Sequence, residues 1–338
     1  MNARRSRLAR GARWLCAGAL ALFLVAELVG RTLLGLGTPP LYEADAGFEY
    51  RMLPNQDVQR FGNHIMVNRW GMRSIDFENH KTHPDELRVM VFGDSVVNGG
   101  SQIDQSELGT TLLRTALQQR LSRPVNVGNI STGSWGPGNW LAYAERFGFF
   151  DADVVLLVLG SGDHADNPTF APLGADHPTQ APALALQEAM QRYLPRYLAR
   201  YLPQQLRAWS AEPSVTPMDK LAAEASARGL GDLQAFLMKA SAEGRRVMVL
   251  HHPDRNETAS GQYLEGHSQI RSLVQALELP FIELRTPYLS AGTEVYRDDI
   301  HHSAQGQRVM AHALFNAVLQ TLTTPNPEPT TVAAGARS

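Results

Sequence analysis

Two short segments carry side chains suited to nucleophilic chemistry. Gly93-Asp94-Ser95 sets a serine hydroxyl directly behind an apolar run. Such a hydroxyl is a poor nucleophile until a base takes its proton. Asp298-Asp299-Ile300-His301-His302-Ser303 offers that base. An aspartate three residues before a histidine can reach the imidazole within one loop, fix its tautomer and stabilise the imidazolium that forms. The spacing occurs twice, as Asp298/His301 and as Asp299/His302, and the loop leaves both pairs open. Each segment alone is weak, since Asp-Ser turns and solvated acidic loops are common. Together they make a nucleophile, a base and an orienting carboxylate, the set required for acyl transfer.

The elements that must position these groups follow from periodicity. Leu87–Phe92 (LRVMVF) reads as a buried strand, followed by Val125–Val127, Asp153–Leu159, Arg246–Leu250 and Pro280–Leu284. Continuous apolar runs of this kind suit parallel strands covered on both faces. Between them, helices are expected from Asp104, with Asp104 as cap and Glu107 reaching back, and over 219–243, 266–278 and about 303–322, the last capped by Ser303. Strands alternating with helices predict an α/β fold whose ligands bind at the carboxyl ends of the strands. The expected organisation is a basic arm and anchor (1–36), a loop and β-hairpin extension (37–86), a catalytic domain (87–322) with an insertion at about 165–218, and a disordered Pro-, Thr- and Ala-rich tail (323–338). Within the insertion, RYLPRYLARYLP (192–203) repeats every four residues. On a helix it stacks Tyr193, Tyr197 and Tyr201 beside an Arg192, Arg196 and Arg200 stripe, with kinks at Pro195 and Pro203. That stripe suits a packed amphipathic helix with snorkelling arginines, or a lid or membrane-surface patch.

The N-terminus reads as a membrane address. Five arginines and no acid occupy residues 1–13, ahead of the unbroken apolar run WLCAGALALFLVA. Trp14 to Leu36 is long enough to span a bilayer, which takes roughly 20 residues. Glu27 and Arg31 can pair one turn apart near its outer end. A small-x-small cleavage site directly after the run is missing, which favours an uncleaved anchor over a signal peptide. The basic flank keeps the N-terminus inside and exports the body. The expected location is therefore the cytoplasmic membrane, single-pass, with the catalytic domain periplasmic. Net charge is −2, so the body beyond the basic arm carries −7, which argues against nucleic acid as partner. The single cysteine, Cys16, excludes a cysteine nucleophile, a cysteine metal site and an internal disulfide. His251-His252 ends the fourth strand without a third ligand at a recognisable spacing, so no metal and no cofactor is expected.

On Gly93-Asp94-Ser95, Gly128-Asn129-Ile130-Ser131-Thr132-Gly133 and Asp298 to His301, the chain resembles the SGNH/GDSL hydrolase family over roughly 87–320. The resemblance implies a flavodoxin-like three-layer α/β/α sandwich with a central parallel five-stranded sheet. It also implies Ser95 as nucleophile, Gly133 as an oxyanion-hole donor beside the Ser95 amide, and Asp298/His301 as the acid–base pair. PPLYEAD, PNQDVQRFGN and VNRWGMRS resemble anchored members from bacterial exopolysaccharide loci. One block departs from the pattern: the family's Gly-x-Asn-Asp is here Gly160-Ser161-Gly162-Asp163, and Gly162 has no side chain to donate to the oxyanion. Loss of such a donor costs roughly 10²–10³ in rate. His164 and Asn167 are the nearby candidates for a substitute.

Trp70, Trp135 and Trp140 stand in polar, Gly-rich stretches, where exposed aromatic faces suit sugar rings and buried ones anchor loops. Trp135, Asn139 and Asp163 are the expected substrate contacts. The leading reading is an exported esterase or acyltransferase acting on O-acyl (acetyl) groups of a carbohydrate or exopolysaccharide. Its partners would be that substrate, the membrane, and a polysaccharide-export or membrane acyltransferase component. A lipid esterase or thioesterase at the membrane, and a non-catalytic component of polysaccharide assembly, are the alternatives.

Overall fold

The structure, a computed structural model, describes residues 2–199 and 218–323. The expected tail from 324 onward and the Arg200, Tyr201 and Pro203 part of the repeat lie outside the described residues. Helix α1 (Asn2–Thr32) is followed by two antiparallel hairpins, β1 (Tyr42–Asp45) with β2 (Glu49–Met52), and β3 (Gln56–Arg60) with β4 (Asn63–Val67). The domain proper runs β5 (Leu87–Gly93), α2 (Ser95–Asn98), α3 (Gly109–Leu121), β6 (Val125–Ser131), α4 (Pro137–Phe147) and β7 (Val154–Leu159). The insertion then contributes α5 (Ala185–Glu188) and α6 (Leu194–Ala199). The domain closes with α7 (Met218–Ala242), β8 (Arg246–His251), α8 (Arg255–Ser260), α9 (Glu265–Ala276), β9 (Phe281–Glu283), α10 (Arg285–Ala291) and α11 (Ala304–Thr323).

The five domain strands form one parallel sheet in the order β6-β5-β7-β8-β9. Every residue of β5 and β7 is buried. Successive side chains alternate between two cores, as the period of a strand demands. Met90 and Phe92 join Val155 and Leu157 on the face covered by α4 and α7; Val89 and Val91 join Leu156 and Val158 on the face covered by α3 and α11. Each such side chain contributes about 1.5–3 kcal/mol on leaving water. The chain leaves β5 for β6 on one side and later returns to β7 on the other. The carboxyl end of β5 is therefore the topological switch point, where a crevice opens in sheets of this kind.

Several expected boundaries move: β6 runs on to Ser131 rather than ending at Val127, and β9 is shorter than the expected Pro280–Leu284. The helix expected from Asp104 is α3 and begins at Gly109, because Asp104 spends its carboxylate on a separate turn. It accepts from the Ser106 amide (2.9 Å) and from the His64 amide of the hairpin (2.7 Å), while Glu107 pairs with Arg308 instead of reaching back. The apolar N-terminal helix stops at Thr32 rather than Leu36. Gly35 (φ +62) and Gly37 (φ +87) adopt left-handed backbone there, and Leu36 turns into the body. Its stretch Arg10–Thr32 is long and apolar enough to cross a membrane, and a signal sequence meets the same description.

The C-terminal end of α1 is tied to the insertion. Glu27 pairs with Arg31 (2.7 Å) and accepts from the amides of Ala185 and Leu186 (2.8 and 3.0 Å), capping α5. The buried Arg60–Glu188 ion pair joins the second hairpin to the same helix. Between α5 and α6 the helix widens at Ala189–Tyr193, where the Leu194 amide reaches back five residues to Ala189. Pro195 follows directly and has no amide hydrogen to continue the regular ladder. Met190, Leu194, Tyr197 and Leu198 are exposed, so the packed amphipathic helix expected here leaves apolar side chains in solvent.

Candidate active site

Ser95 emerges where β5 ends. Gly93 carries no side chain because a β-carbon there would overlap Val97 and approach the Val158 carbonyl to 2.9 Å. Asp94 then caps α2, accepting from the Val96 amide at 2.8 Å, which turns the Ser95 amide and hydroxyl outward. The short helix is held from three sides. Asn98 donates to the Ser131 carbonyl (2.9 Å), Asn129 to the Val97 carbonyl (2.9 Å) and Gln307 to the Val96 carbonyl (2.8 Å). Arg73, from the extension, is buried and donates to the carbonyls of Asn98 and Gly100 (2.7 Å each) and Ile103 (3.0 Å). Its role in bracing the segment behind the serine left no signal in the sequence beyond a loop arginine.

The Asp298–Ser303 loop brings its base to that serine. His301 Nε2 lies 2.9 Å from Ser95 Oγ. His301 Nδ1 lies 2.9 and 3.0 Å from the two Asp298 oxygens, and Asp298 also accepts from the amides of His301 (2.7 Å) and Ile300 (3.1 Å). Partial burial pushes the Asp298 carboxyl up, but these amides and the imidazole outweigh it and hold it down at about 2. The carboxylate is thus charged throughout the neutral range. The loop is pinned by backbone bonds from Arg297 to His301 (2.9 Å) and from Ser303 to Val295 (2.9 Å), and Ser303 caps α11 by accepting from Gly306. Asp299/His302 has the same spacing and a different fate. His302 is buried beneath the loop with neither ring nitrogen partnered among the described residues, and burial pushes it down to about 3.

Ser95 follows the end of β5 and Gly133 the end of the neighbouring β6, and the hydrogen bonds of the described residues give neither amide a protein acceptor. The Gly133 carbonyl is turned away by a bond from the Tyr50 hydroxyl. Gly162 has φ −84 and ψ −22, with no atom within 4 Å of where a β-carbon would stand. The two expected substitutes are committed elsewhere. Asn167 spends its amide hydrogens on the carbonyls of Ala165 (3.1 Å) and Ala225 (2.8 Å), and His164 Nδ1 bonds the Ser161 carbonyl (3.0 Å) with its ring packed under Gly266. Neither makes a hydrogen bond to Ser95, Gly133 or His301.

The expected substrate contacts are corrected by burial. Trp135 is buried and donates to the Tyr50 carbonyl (2.9 Å); Trp140 is buried and donates to the Gly93 carbonyl (2.9 Å). Trp135 anchors the loop before α4 and Trp140 anchors α4 itself, with both indole faces inside the core. Asn139 is fully buried, accepting from the Gly136 amide at the start of α4 and donating to the Phe48 carbonyl. Asp163 is buried and accepts from the Gly160 amide (2.8 Å), shaping the loop that carries Gly162. Burial and the nearby Asp94 carboxylate push Asp163 well above the usual range, and burial pushes Asp94 up to about 6. These polar residues organise the site from beneath.

One residue beside Gly133 carries no signal in the sequence. His177, in the Pro-rich insertion, stands between the rings of Tyr42 (4.8 Å) and Tyr50 (4.5 Å), its Nε2 3.5 Å from where a Gly133 side chain would begin. Burial, with help from Arg192, lowers its pKa. The insertion is strapped to the first hairpin, whose Glu49 accepts from the amides of Thr169 (2.8 Å) and Phe170 (2.9 Å). Nothing in its spacing ties His177 to Gly133; only the fold of the insertion does.

Residues 89–314 match the family described as GDSL-like Lipase/Acylhydrolase. No curated protein matches the chain. Among solved structures, it is similar to a member of the lipolytic protein G-D-S-L family from Veillonella parvula (13% identity, 69% of this chain and 99% of that one, TM-score 0.42). It is also similar to an acetyl xylan esterase (17% identity, 69% and 100%, TM-score 0.41) and to the lipase/acylhydrolase from Enterococcus faecalis (12% identity, 72% and 99%, TM-score 0.41).

Proposed function

This chain belongs to the GDSL-like lipase/acylhydrolase family and is an ester-hydrolysing enzyme, and on that premise we propose that it removes or transfers small O-acyl groups on a carbohydrate outside the cytoplasm, tethered by α1. The observation that carries the reading is the 2.9 Å contact between Ser95 Oγ and a His301 whose far nitrogen is held by Asp298.

The steps follow from the geometry. Ser95 Oγ attacks the acyl carbonyl as its proton passes to His301 Nε2. Asp298 stabilises the imidazolium, and the Ser95 and Gly133 amides hold the oxyanion. Collapse of the intermediate expels the sugar alcohol, which takes the proton from His301. Water, or a second sugar hydroxyl, then gives its proton to His301 and attacks the acyl-serine, releasing acid or transferred ester and restoring Ser95.

A small acyl group is supported by the openness of the site. The His301 and Asp298 side chains are 33% and 48% exposed, and the polar His177 stands close to Gly133 after the neighbouring strand. A long acyl chain would need apolar walls. The purified full chain is expected to release acetate from an O-acetylated polysaccharide, and to turn over nitrophenyl esters fastest as acetate, with rates falling as the chain lengthens. Rates that rise with chain length, with no acetate released from polysaccharide, would favour a second reading, an esterase of membrane lipids. The exposed Met190, Leu194, Tyr197 and Leu198, on the helical segment that follows the α5 capped by Glu27 of α1, are the feature that favours it.

Export is tested separately. A reporter active only outside the cytoplasm, fused after residue 323, should be active. An inactive fusion, with a cytoplasmic reporter active at the same position, would reverse the orientation.

A further inference from the structure

Two strands along the sheet edge from Ser95 lies a second cluster of chemistry-bearing side chains. His251 ends β8, Glu283 ends β9, and His267 comes from the first turn of α9. His251 Nδ1 is 3.2 Å from Glu283 Oε2, and His267 Nε2 is 2.6 Å from Glu283 Oε1. One donor atom from each of the three lies within 4.8 Å of the others. Both histidines are buried, while Glu283 keeps a partly exposed edge through which an ion can enter.

The rings are held in place by packing as well as by the carboxylate. Tyr263 stacks on His267 (3.9 Å, 11°), Phe281 lies nearly parallel to His251 (6.2 Å, 24°), and the two imidazoles meet edge to face at 4.6 Å. The far nitrogen of His251 is occupied, lying 2.9 Å from Ser161 Oγ. A hydrogen-bonded far nitrogen is how ligating histidines are oriented, leaving the near one for a cation. Two imidazoles and a carboxylate, without sulfur, are a donor set that Zn²⁺ takes with a fourth position open. Arg271 is the cation near the carboxylate, 3.9 Å away and half exposed, free to swing into solvent.

We propose that His251, His267 and Glu283 form a binding site for a divalent transition-metal ion of the zinc class, joining β8, β9 and α9 behind Ser161. The site is separate from the Ser95 chemistry. Neither a local spacing nor a motif announces it, because its ligands stand sixteen residues apart on three elements.

The test uses the full chain in detergent, stripped with EDTA, dialysed, and titrated with Zn²⁺ alone against a chromophoric chelator. One tight equivalent per chain is expected. His267→Ala and Glu283→Gln should abolish it, and Ser161→Ala should weaken it roughly 10–100-fold, as loss of an orienting partner does. Co²⁺ bound to the wild-type chain should show the strong visible bands of a low-coordinate site, which reads the geometry without any variant. Absence of a tight equivalent in the wild-type chain overturns the proposal. So does a tight equivalent that survives in both variants, which assigns the ion to other histidines. Melting of the metal-free proteins checks that each variant is folded.

Discussion

His301→Ala is expected to lower kcat for an activated acetyl ester by roughly 10⁴-fold or more, with Ser95→Ala doing the same. The two changes should not add, because nucleophile and base act as one unit through their 2.9 Å contact. Asp298→Asn keeps the shape of the loop but can hold the wrong imidazole tautomer, and a loss near 10⁴-fold is expected there too. Since Asp298 keeps its charge down to about pH 2, the orienting carboxylate is present at any ordinary assay pH; its contribution is lost only as pH falls through that value. His302→Ala separates the two overlapping pairs. It removes a buried ring without touching Ser95, so it should lower the melting temperature and leave kcat within a few fold. Steady-state kinetics on the folded variants reads all four. If His302→Ala is the inactive one and His301→Ala turns over normally, the base has been assigned to the wrong residue. A fluorophosphonate that labels Ser95→Ala as well as the wild-type chain would remove the nucleophile assignment.

Gly162→Asn should raise the same rate, by as much as roughly 10²-fold, because one oxyanion-hole donor is worth roughly 10²–10³ when it is removed. The backbone permits the change. Gly162 has φ −84, an ordinary value for an L residue, and a β-carbon there meets no atom within 4 Å. Asn is also at home before a helical turn, where Gly162 stands. His164→Ala and Asn167→Ala should leave kcat within a few fold, since their side chains serve the Ser161, Ala165 and Ala225 carbonyls. Asn167→Ala should instead cost stability, about 1 kcal/mol, because the partly buried Ala165 and Ala225 carbonyls lose a donor. A Gly162→Asn enzyme that melts like the wild-type chain and turns over no faster would show that the hole is already complete. His177, 3.5 Å from where a Gly133 side chain would begin, is then the next group to replace.

Much of this site is legible in the sequence. Buried parallel strands need continuous apolar runs, so β5 and β7 announced themselves, and a serine directly after β5 had to stand at the carboxyl edge of the sheet. The Asp298/His301 pairing is local, three residues in one loop, so spacing alone brought the carboxylate within reach of the ring. Glu27 and Arg31, one helical turn apart, were readable for the same reason. Spacing did not separate His301 from His302, adjacent in the chain and opposite in environment; the resemblance favoured the first, and the turn from the loop into α11 exposes one and buries the other. Trp135, Trp140 and Asn139 sit in a glycine-rich stretch that reads as surface, yet the first hairpin folds over it and supplies Tyr50 and Phe48 carbonyls as acceptors. His177 reaches Gly133 through an insertion strapped down by Glu49, and His251, His267 and Glu283 converge from three elements. Period and spacing determine which backbone element a residue joins and what its near neighbours can do. Whether a polar side chain ends in solvent, in a core or against a distant partner depends on which surfaces the elements bury against one another, and that was decided only by the tertiary structure.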